Sequence, residues 1–568
     1  MSNTYYLKLA CLTVICLLQG CLMFQASPYA PSPARDAAES PSMLAAYHYS
    51  LGVLSLLNED SAKAIAEFEK ARQFDPQSPV LAGELAILYS EKGDFGKSLA
   101  LLQEALKWNP QDVETHFLLA GLYANSQDYP RAVDSYQTVI ALEPKHASAH
   151  LYLGSLYAQM KDHDKALDAL RKLLTIDPDH VIGRYYLAKV LLELRQDEQA
   201  EIELKKVIAL RPSFEPAMTD LGFLYERRNS YAQAIGVYDQ ITKMYPNRVK
   251  VRIRMGDLLL REQRDAEADQ VFGDILRQHA AGKEVALTIG MIYLEQNRSA
   301  KAVDLLGKLH ATYPDDPKIH YLLAAAYGEQ SQTRQALEML DRIGPDSEFY
   351  INARIHAASI LKKERNLDEA ARIIREAIPH KKDAPTFYLF LASLYDEKKD
   401  LAKVEQVLLE GLASLPQNTE ILYSLGVLYE KTDRFDEAIR QMRLILAITP
   451  DHADALNFIG YSYADRNIHL NEAEELIKKA IRLKPGNAYI IDSLGWVYFR
   501  QNKLDRAIEL LTEAHRLQPD DVAIGEHLGD AYVQNKQFRE AIDIYRKMII
   551  LSPESKTLPG KIKNLLKR

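Results

Sequence analysis

Residues 147–180 read ASAHLYLGSLYAQMKDHDKALDALRKLLTIDPDH. Counted from Ala147, Gly154 falls in slot 8, Tyr157 in slot 11, Ala166 in slot 20 and Pro178 in slot 32. The same slots return every 34 residues along most of the chain. Slot 8 holds Gly or Ala in all fifteen copies, from Gly52 to Gly529, and slot 20 holds Ala in thirteen, the exceptions being Ser98 and Val404. Tyr fills slot 11 in eleven copies and Pro fills slot 32 in twelve. Small residues at slots 8 and 20 let two helices of one copy approach closely, and the Pro ends the second helix and turns the chain toward the next copy. Chance does not hold such a phase over fifteen copies.

The copies fill residues 45–555 with one residue over, which lies in ADRNIHLNEAEEL of repeat 13 and belongs to a turn. Repeats 7, 9 and 10 lack the slot-32 Pro, and around 341–385 Pro345 and Pro379 come early. That stretch predicts an irregular joint between repeats 1–9 (45–350) and repeats 10–15 (351–555). The pattern resembles the tetratricopeptide repeat, W-x2-L-G-x2-Y…A-x3-F…P. The resemblance implies an all-α fold, a right-handed superhelical solenoid of about fifteen helix–turn–helix repeats with a concave groove. Residues 556–568, KTLPGKIKNLLKR, place Ile562, Leu565 and Leu566 at helical spacing among cations, as a cap on the last repeat would. A lipid- or partner-binding role for those cations is the alternative.

All three cysteines, Cys11, Cys16 and Cys21, lie near the N-terminus, so the body offers no disulfide framework and no thiolate metal site. One cation, Lys8, precedes the apolar run Leu9–Leu18, which is too short to span a bilayer and has the layout of a secretory signal. Leu18-Gln19-Gly20-Cys21 resembles the bacterial lipobox. That resemblance implies a signal peptide at 1–20, acylation of Cys21 and, with no Asp at position 22, sorting to the outer membrane, facing the periplasm. The alternative is an uncleaved anchor running on to Phe24. Residues 21–44 then form the lipidated cysteine and a Pro/Ala/Ser-rich tether. The net charge of −8 gives no support for a nucleic-acid binder.

No phosphate loop, dinucleotide fingerprint, metalloprotease helix or nucleophile elbow is present. His48, His116, His150 and His320 all fall in slot 4, where the repeat pattern puts a packing aromatic, so they read as core residues. The expectation is a non-catalytic protein without cofactor or metal that binds protein or peptide partners.

Helix geometry nominates the binding face. In AYIIDSLGWVYFR (488–500), Tyr489, Asp492, Trp496 and Arg500 lie opposite the packing slots. Repeat 13 adds Asn457, Tyr461 and Asp465, and repeat 12 adds Tyr423, Val427 and Lys431. Rings interleaved with charges suit a peptide, the rings as anchors and the charges as register. Phe117, Tyr185, Lys189, Phe223 and Arg227 form a second candidate. The alternative for Trp496 and Tyr461 is that they fill the gap between adjacent first helices. Residues 460–514, with IDSLGW and the extended turn before it, resemble bacterial outer-membrane repeat lipoproteins. Some of these are adaptors that bring cell-wall hydrolases to periplasmic C-terminal processing proteases. The resemblance implies an envelope scaffold; an assembly or secretion component, as in exopolysaccharide export or pilus biogenesis, is the alternative.

Overall fold

The computed structural model describes residues 40–278 and 282–567. The signal segment, Cys21 and most of the tether lie outside the described residues. Among those described, the regular elements are thirty-one α-helices and one 3-10 helix. They fall in pairs, an A helix and a B helix per repeat. In repeat 4 these are Ala147–Gln159 and His163–Ile176. None of the described helices is long and apolar enough to cross a membrane.

Each A helix ends on a residue in the left-handed region. Fourteen of these residues are not glycine and have φ between 56° and 64°, and Gly93 takes the position in repeat 2 with φ 81°. In repeat 4 the residue is Lys161, and the next amide, Asp162 N–H, donates back to the Tyr157 carbonyl at 2.9 Å. Asp162 then caps helix B by accepting from the Lys165 amide. The extra residue of repeat 13 is absorbed here, where His469 takes a second left-handed conformation (φ 47°) after Asn467 (φ 57°).

Close approach explains slot 8. A Cβ built on Gly154 would lie 2.7 Å from Leu170, on Gly222 2.4 Å from Tyr238, and on Gly529 2.2 Å from Tyr545. Ser98, the polar exception at slot 20, is buried and donates to the Ala86 carbonyl at 2.7 Å. Of the slot-4 histidines, His150 and His320 are buried and His48 and His116 partly exposed, with His48 Nδ1 against Glu67 at 2.7 Å. Nε2 of His116, His150 and His320 donates to the carbonyls of Pro110, Pro144 and Pro314 at 2.9, 3.0 and 2.8 Å.

The chain divides into two compact units at Leu258/Leu259, inside helix A of repeat 7, Val249–Arg261. The first unit holds repeats 1–6. Its core is built from B-helix residues such as Phe68, Leu102, Leu170 and Tyr238, all under 2% exposed. The second unit holds repeats 8–15 and the irregular stretch. There helix B of repeat 9 is cut to nine residues, Thr333–Asp341, and helix B of repeat 10 runs over Leu367–Ala377 into the 3-10 turn Ile378–His380. Arg354 fills the space beside the shortened helix, donating to the Ile343 carbonyl at 3.2 Å and pairing with Asp341 at 3.1 Å. The chain closes with Leu558–Leu565, which seats Leu558 against Ala541, Tyr545 and Met548.

Candidate functional site

Successive A helices meet through residues 35 positions apart, slot 5 of one repeat against slot 6 of the next. In the first unit the Phe117 ring lies 5.7 Å from Tyr152, and the Tyr185 hydroxyl donates to Asp220 at 2.9 Å. In the second unit Tyr321 faces His356 at 5.8 Å, Tyr423 faces Phe458 at 6.1 Å, and Asp492 meets His527 Nδ1 at 2.9 Å. Slot 5 is a joint between repeats.

The joint of repeats 14 and 15 is the most elaborate of these. Trp496, on helix A of repeat 14 (Ala488–Arg500), is 7% exposed and lies between two rings. Phe499 stacks on it at 4.6 Å and His527 of repeat 15 at 4.1 Å. The Arg500 guanidinium sits 5.5 Å from the indole centroid, while its Nε donates to the Ala464 carbonyl at 2.9 Å and its Nη2 to that of Asp465. Asp492 is buried and oriented by His527. Tyr461 reaches in from repeat 13, 6.2 Å from the same imidazole. Burial first, then the carboxylates of Asp465, Asp492 and Glu430, push its hydroxyl up to about 12.

Two polar atoms here are closed to solvent and have no hydrogen-bond partner, Trp496 Nε1 and Asn457 Oδ1. Each such group costs about 1–3 kcal/mol. The structure thus brings Tyr461, Asp492, Trp496 and Arg500 together, and adds His527 and Phe499, which sequence reasoning missed. The signal that could have found His527 is the 35-residue spacing, one more than the repeat length.

Asp465 borders this cluster through its carbonyl, which accepts from Arg500, and its carboxylate, which acts on Tyr461, and the other nominated residues stand apart from it. Tyr489 is 55% and Val427 43% exposed. Lys431 pairs with Asp396 of repeat 11 at 2.6 Å, and Asp465 is exposed. Tyr423 stacks on His452 at 6.3 Å, and burial, then Asp454, push its hydroxyl up. Asp492 and Trp496 are covered as they stand, so the surface met from solvent is made by Tyr489, Val427, Lys431 and Asp465. In the first unit Phe117 joins an aromatic cluster with Tyr136 and His146 at 5.8 and 5.0 Å. Lys189 pairs with Asp220 at 3.5 Å, Arg227 pairs with Asp197, and Phe223 is 55% exposed. Among the described residues no group of three or more His, Cys, Asp or Glu is placed to hold a metal ion.

Family profiles described as "Tetratricopeptide repeat" match residues 55–122, 91–150, 122–181, 157–221, 217–248, 293–358, 423–488 and 493–556. The chain belongs to the tetratricopeptide-repeat family. A "TPR repeat-containing protein" of Pseudomonas aeruginosa is 35% identical over 164 residues, 29% of this chain and 28% of that protein. Drosophila melanogaster "Protein O-mannosyl-transferase Tmtc1" is 28% identical over 137 residues, 23% of this chain and 16% of that protein. The tetratricopeptide-repeat chain thus spans about a quarter or less of the curated relatives it matches. Among solved structures, yeast Tom70 aligns with 80% of this chain and 95% of its own at 15% identity, with a TM-score of 0.35.

Proposed function

We propose that the chain is a non-catalytic scaffold of the bacterial envelope, tethered by lipid on Cys21 to the periplasmic face of the outer membrane. It holds a protein or peptide partner on the A-helix face of repeats 12–14, and a periplasmic protease or a cell-wall enzyme fits that role. One observation carries the binding face. Tyr489 and Val427, on the A helices of repeats 14 and 12, stand exposed together with the charged Lys431 and Asp465, which gives apolar anchors and charges to set a register. The lipid anchor is supported by the Leu18-Gln19-Gly20-Cys21 motif and the tether after it. The 35% identity to a Pseudomonas aeruginosa repeat protein supports a Gram-negative setting.

The test replaces exposed residues, so that folding is left alone. Tyr489→Ala with Val427→Ala reduces capture of the main crosslinked envelope partner at least tenfold, on the order of 1.4 kcal/mol or more. Undiminished capture contradicts this binding face. A metabolic acyl label on the wild-type chain, lost in Cys21→Ala, tests the anchor, and an unlabelled wild-type chain contradicts it.

A further inference from the structure

In an interior repeat, slots 3, 6 and 10 of helix A face the repeat before. In repeat 4 Ala149 and Leu156 at slots 3 and 10 are 0% and 4% exposed, and in repeat 12 Ile421 and Leu428 are 0% and 5% exposed. Repeat 1 has no repeat before it among the described residues. Its slots 3, 6 and 10 are Tyr47, Ser50 and Leu54 on helix Pro41–Leu57. Tyr47 is 58% and Leu54 53% exposed, with Met43 and Leu57 at 62% and 58% on either side. The face that most interior repeats bury at slots 3 and 10 is here apolar and open.

Three features say what covers it. Met43, Tyr47, Ser50, Leu54 and Leu57 follow alternating steps of four and three residues, the spacing of a seam against another helix. Helix Pro41–Leu57 carries no Asp, Glu, Lys or Arg, so pairing it with its own copy opposes no like charges along the seam. Acidic residues flank the helix on both sides, Asp36 and Glu39 before it and Glu59 and Asp60 after it. Either sense of pairing brings carboxylates near one another at the helix ends, and the antiparallel sense is favoured by the opposed helix dipoles along a length of about 25 Å.

We propose that this face pairs with the same face of a second copy, antiparallel, about a two-fold axis at Ser50. Ser50 is the middle of the stripe and its smallest residue. Its hydroxyl already donates to the Ala46 carbonyl at 2.9 Å, so it enters a dry seam without losing a partner. The axis sets Tyr47 against Leu54 and Met43 against Leu57 of the second copy. Such a contact is isologous and closes at two copies. Head-to-tail growth is not open to it, because Leu558–Leu565 already occupies the far end of the array. The inference does not depend on Cys21 and goes beyond the scaffold reading.

The test uses the full chain in detergent solution, with the wild type as control for Cys11, Cys16 and Cys21. Mild oxidation links Ser50→Cys into a species of twice 64.4 kDa. Tyr47→Cys alone does not link, and Tyr47→Cys mixed with Leu54→Cys does. By light scattering the wild type has the doubled mass and Leu54→Glu the single one, with unchanged circular dichroism because Leu54 is exposed in the single chain. A wild type of single mass with no Ser50→Cys link overturns the proposal. Tyr47→Cys linking as readily as Ser50→Cys overturns the antiparallel axis. A Cys21→Ala chain of single mass that binds phosphatidylethanolamine–phosphatidylglycerol vesicles, with binding lost in Leu54→Glu, assigns the face to lipid and overturns pairing.

Discussion

The two ends of the array meet the same problem in opposite ways. A stack of repeats leaves one face uncovered at each end, and soluble arrays usually cover or polarise both. At the C-terminus the chain supplies half a repeat. Leu558, Lys561 and Leu565 fall in slots 3, 6 and 10 of a sixteenth A helix, with Leu558 fully buried. Lys561 makes the usual slot-6 joint, reaching Glu526 at 2.7 Å and Asp530 at 2.6 Å. Slot 8 is then Lys563 instead of Gly or Ala, and among the described residues no B helix packs against it. At the N-terminus the same three slots hold Tyr47, Ser50 and Leu54 with nothing seated on them among the described residues. One contact rule thus yields a closed end and an adhesive end.

The largest expected effect comes from opening the closed end. Ending the chain at Ser555 uncovers Tyr545 and Met548, which are 1% and 0% exposed. At roughly 1.5–3 kcal/mol per buried side chain the last repeat loses about 3–5 kcal/mol, read as a fall in the urea midpoint. Tyr47→Ala or Leu54→Ala at the open end, in dilute solution, changes it by under about 0.5 kcal/mol.

Trp496→Ala ranks next, at about 3 kcal/mol, because it empties the ring stack between Phe499 and His527. A loss below about 1 kcal/mol in chemical unfolding would mean that the joint is not packed as described. Gly529→Ala follows, at about 1–3 kcal/mol, from a Cβ placed 2.2 Å from the Tyr545 ring. Gly52→Ala, 2.4 Å from Phe68, costs a similar amount, since the two ends differ in their stacking faces and not in the packing inside a repeat. Unequal costs would break that part of the comparison.

The smallest effect is electrostatic. Burial pushes the Glu474 carboxyl up, but hydrogen bonds from Lys478, Gln501 and Lys503 outweigh it and bring it from 4.5 down to about 2. A carboxyl lower in the folded chain than in the unfolded one contributes stability above pH 4.5 that is lost as pH falls through 2. The Glu474 side chain is 13% exposed but its Lys478 and Lys503 partners reach solvent, so screening holds the contribution to about 1 kcal/mol. Glu474→Gln flattens the acid limb of the stability–pH curve by that amount, and an unchanged limb counts against the network.

Most of the fold was legible because its constraints are local. Slot 8, slot 20 and the slot-32 Pro each act within one repeat, so a fixed period exposes them. Ser98 looked like a lapse and is a hydrogen-bonded replacement; of the slot-4 histidines read as core, His150 and His320 are buried and also tied to the preceding Pro carbonyl, whereas His48 is partly exposed and tied to Glu67. The site was less legible, because it depends on how repeats meet. A helical wheel of residues 488–500 sets Asp492 and Trp496 opposite the packing slots of their own repeat, and they are, yet both are buried by the next one. One helix cannot reveal a neighbour whose contact residue is 35 positions away. Tyr489 and Val427, at the rim of those joints, are the ones left in solvent.

The most direct measurement of the account is hydrogen exchange on the full chain at two protein concentrations. If the leading face of repeat 1 is adhesive and the trailing face of repeat 15 is closed by its own chain, amides of residues 41–57 exchange more slowly as concentration rises. Those of residues 558–565 stay equally protected at both. Protection at 41–57 that ignores concentration, or protection at 558–565 that follows it, would contradict the account.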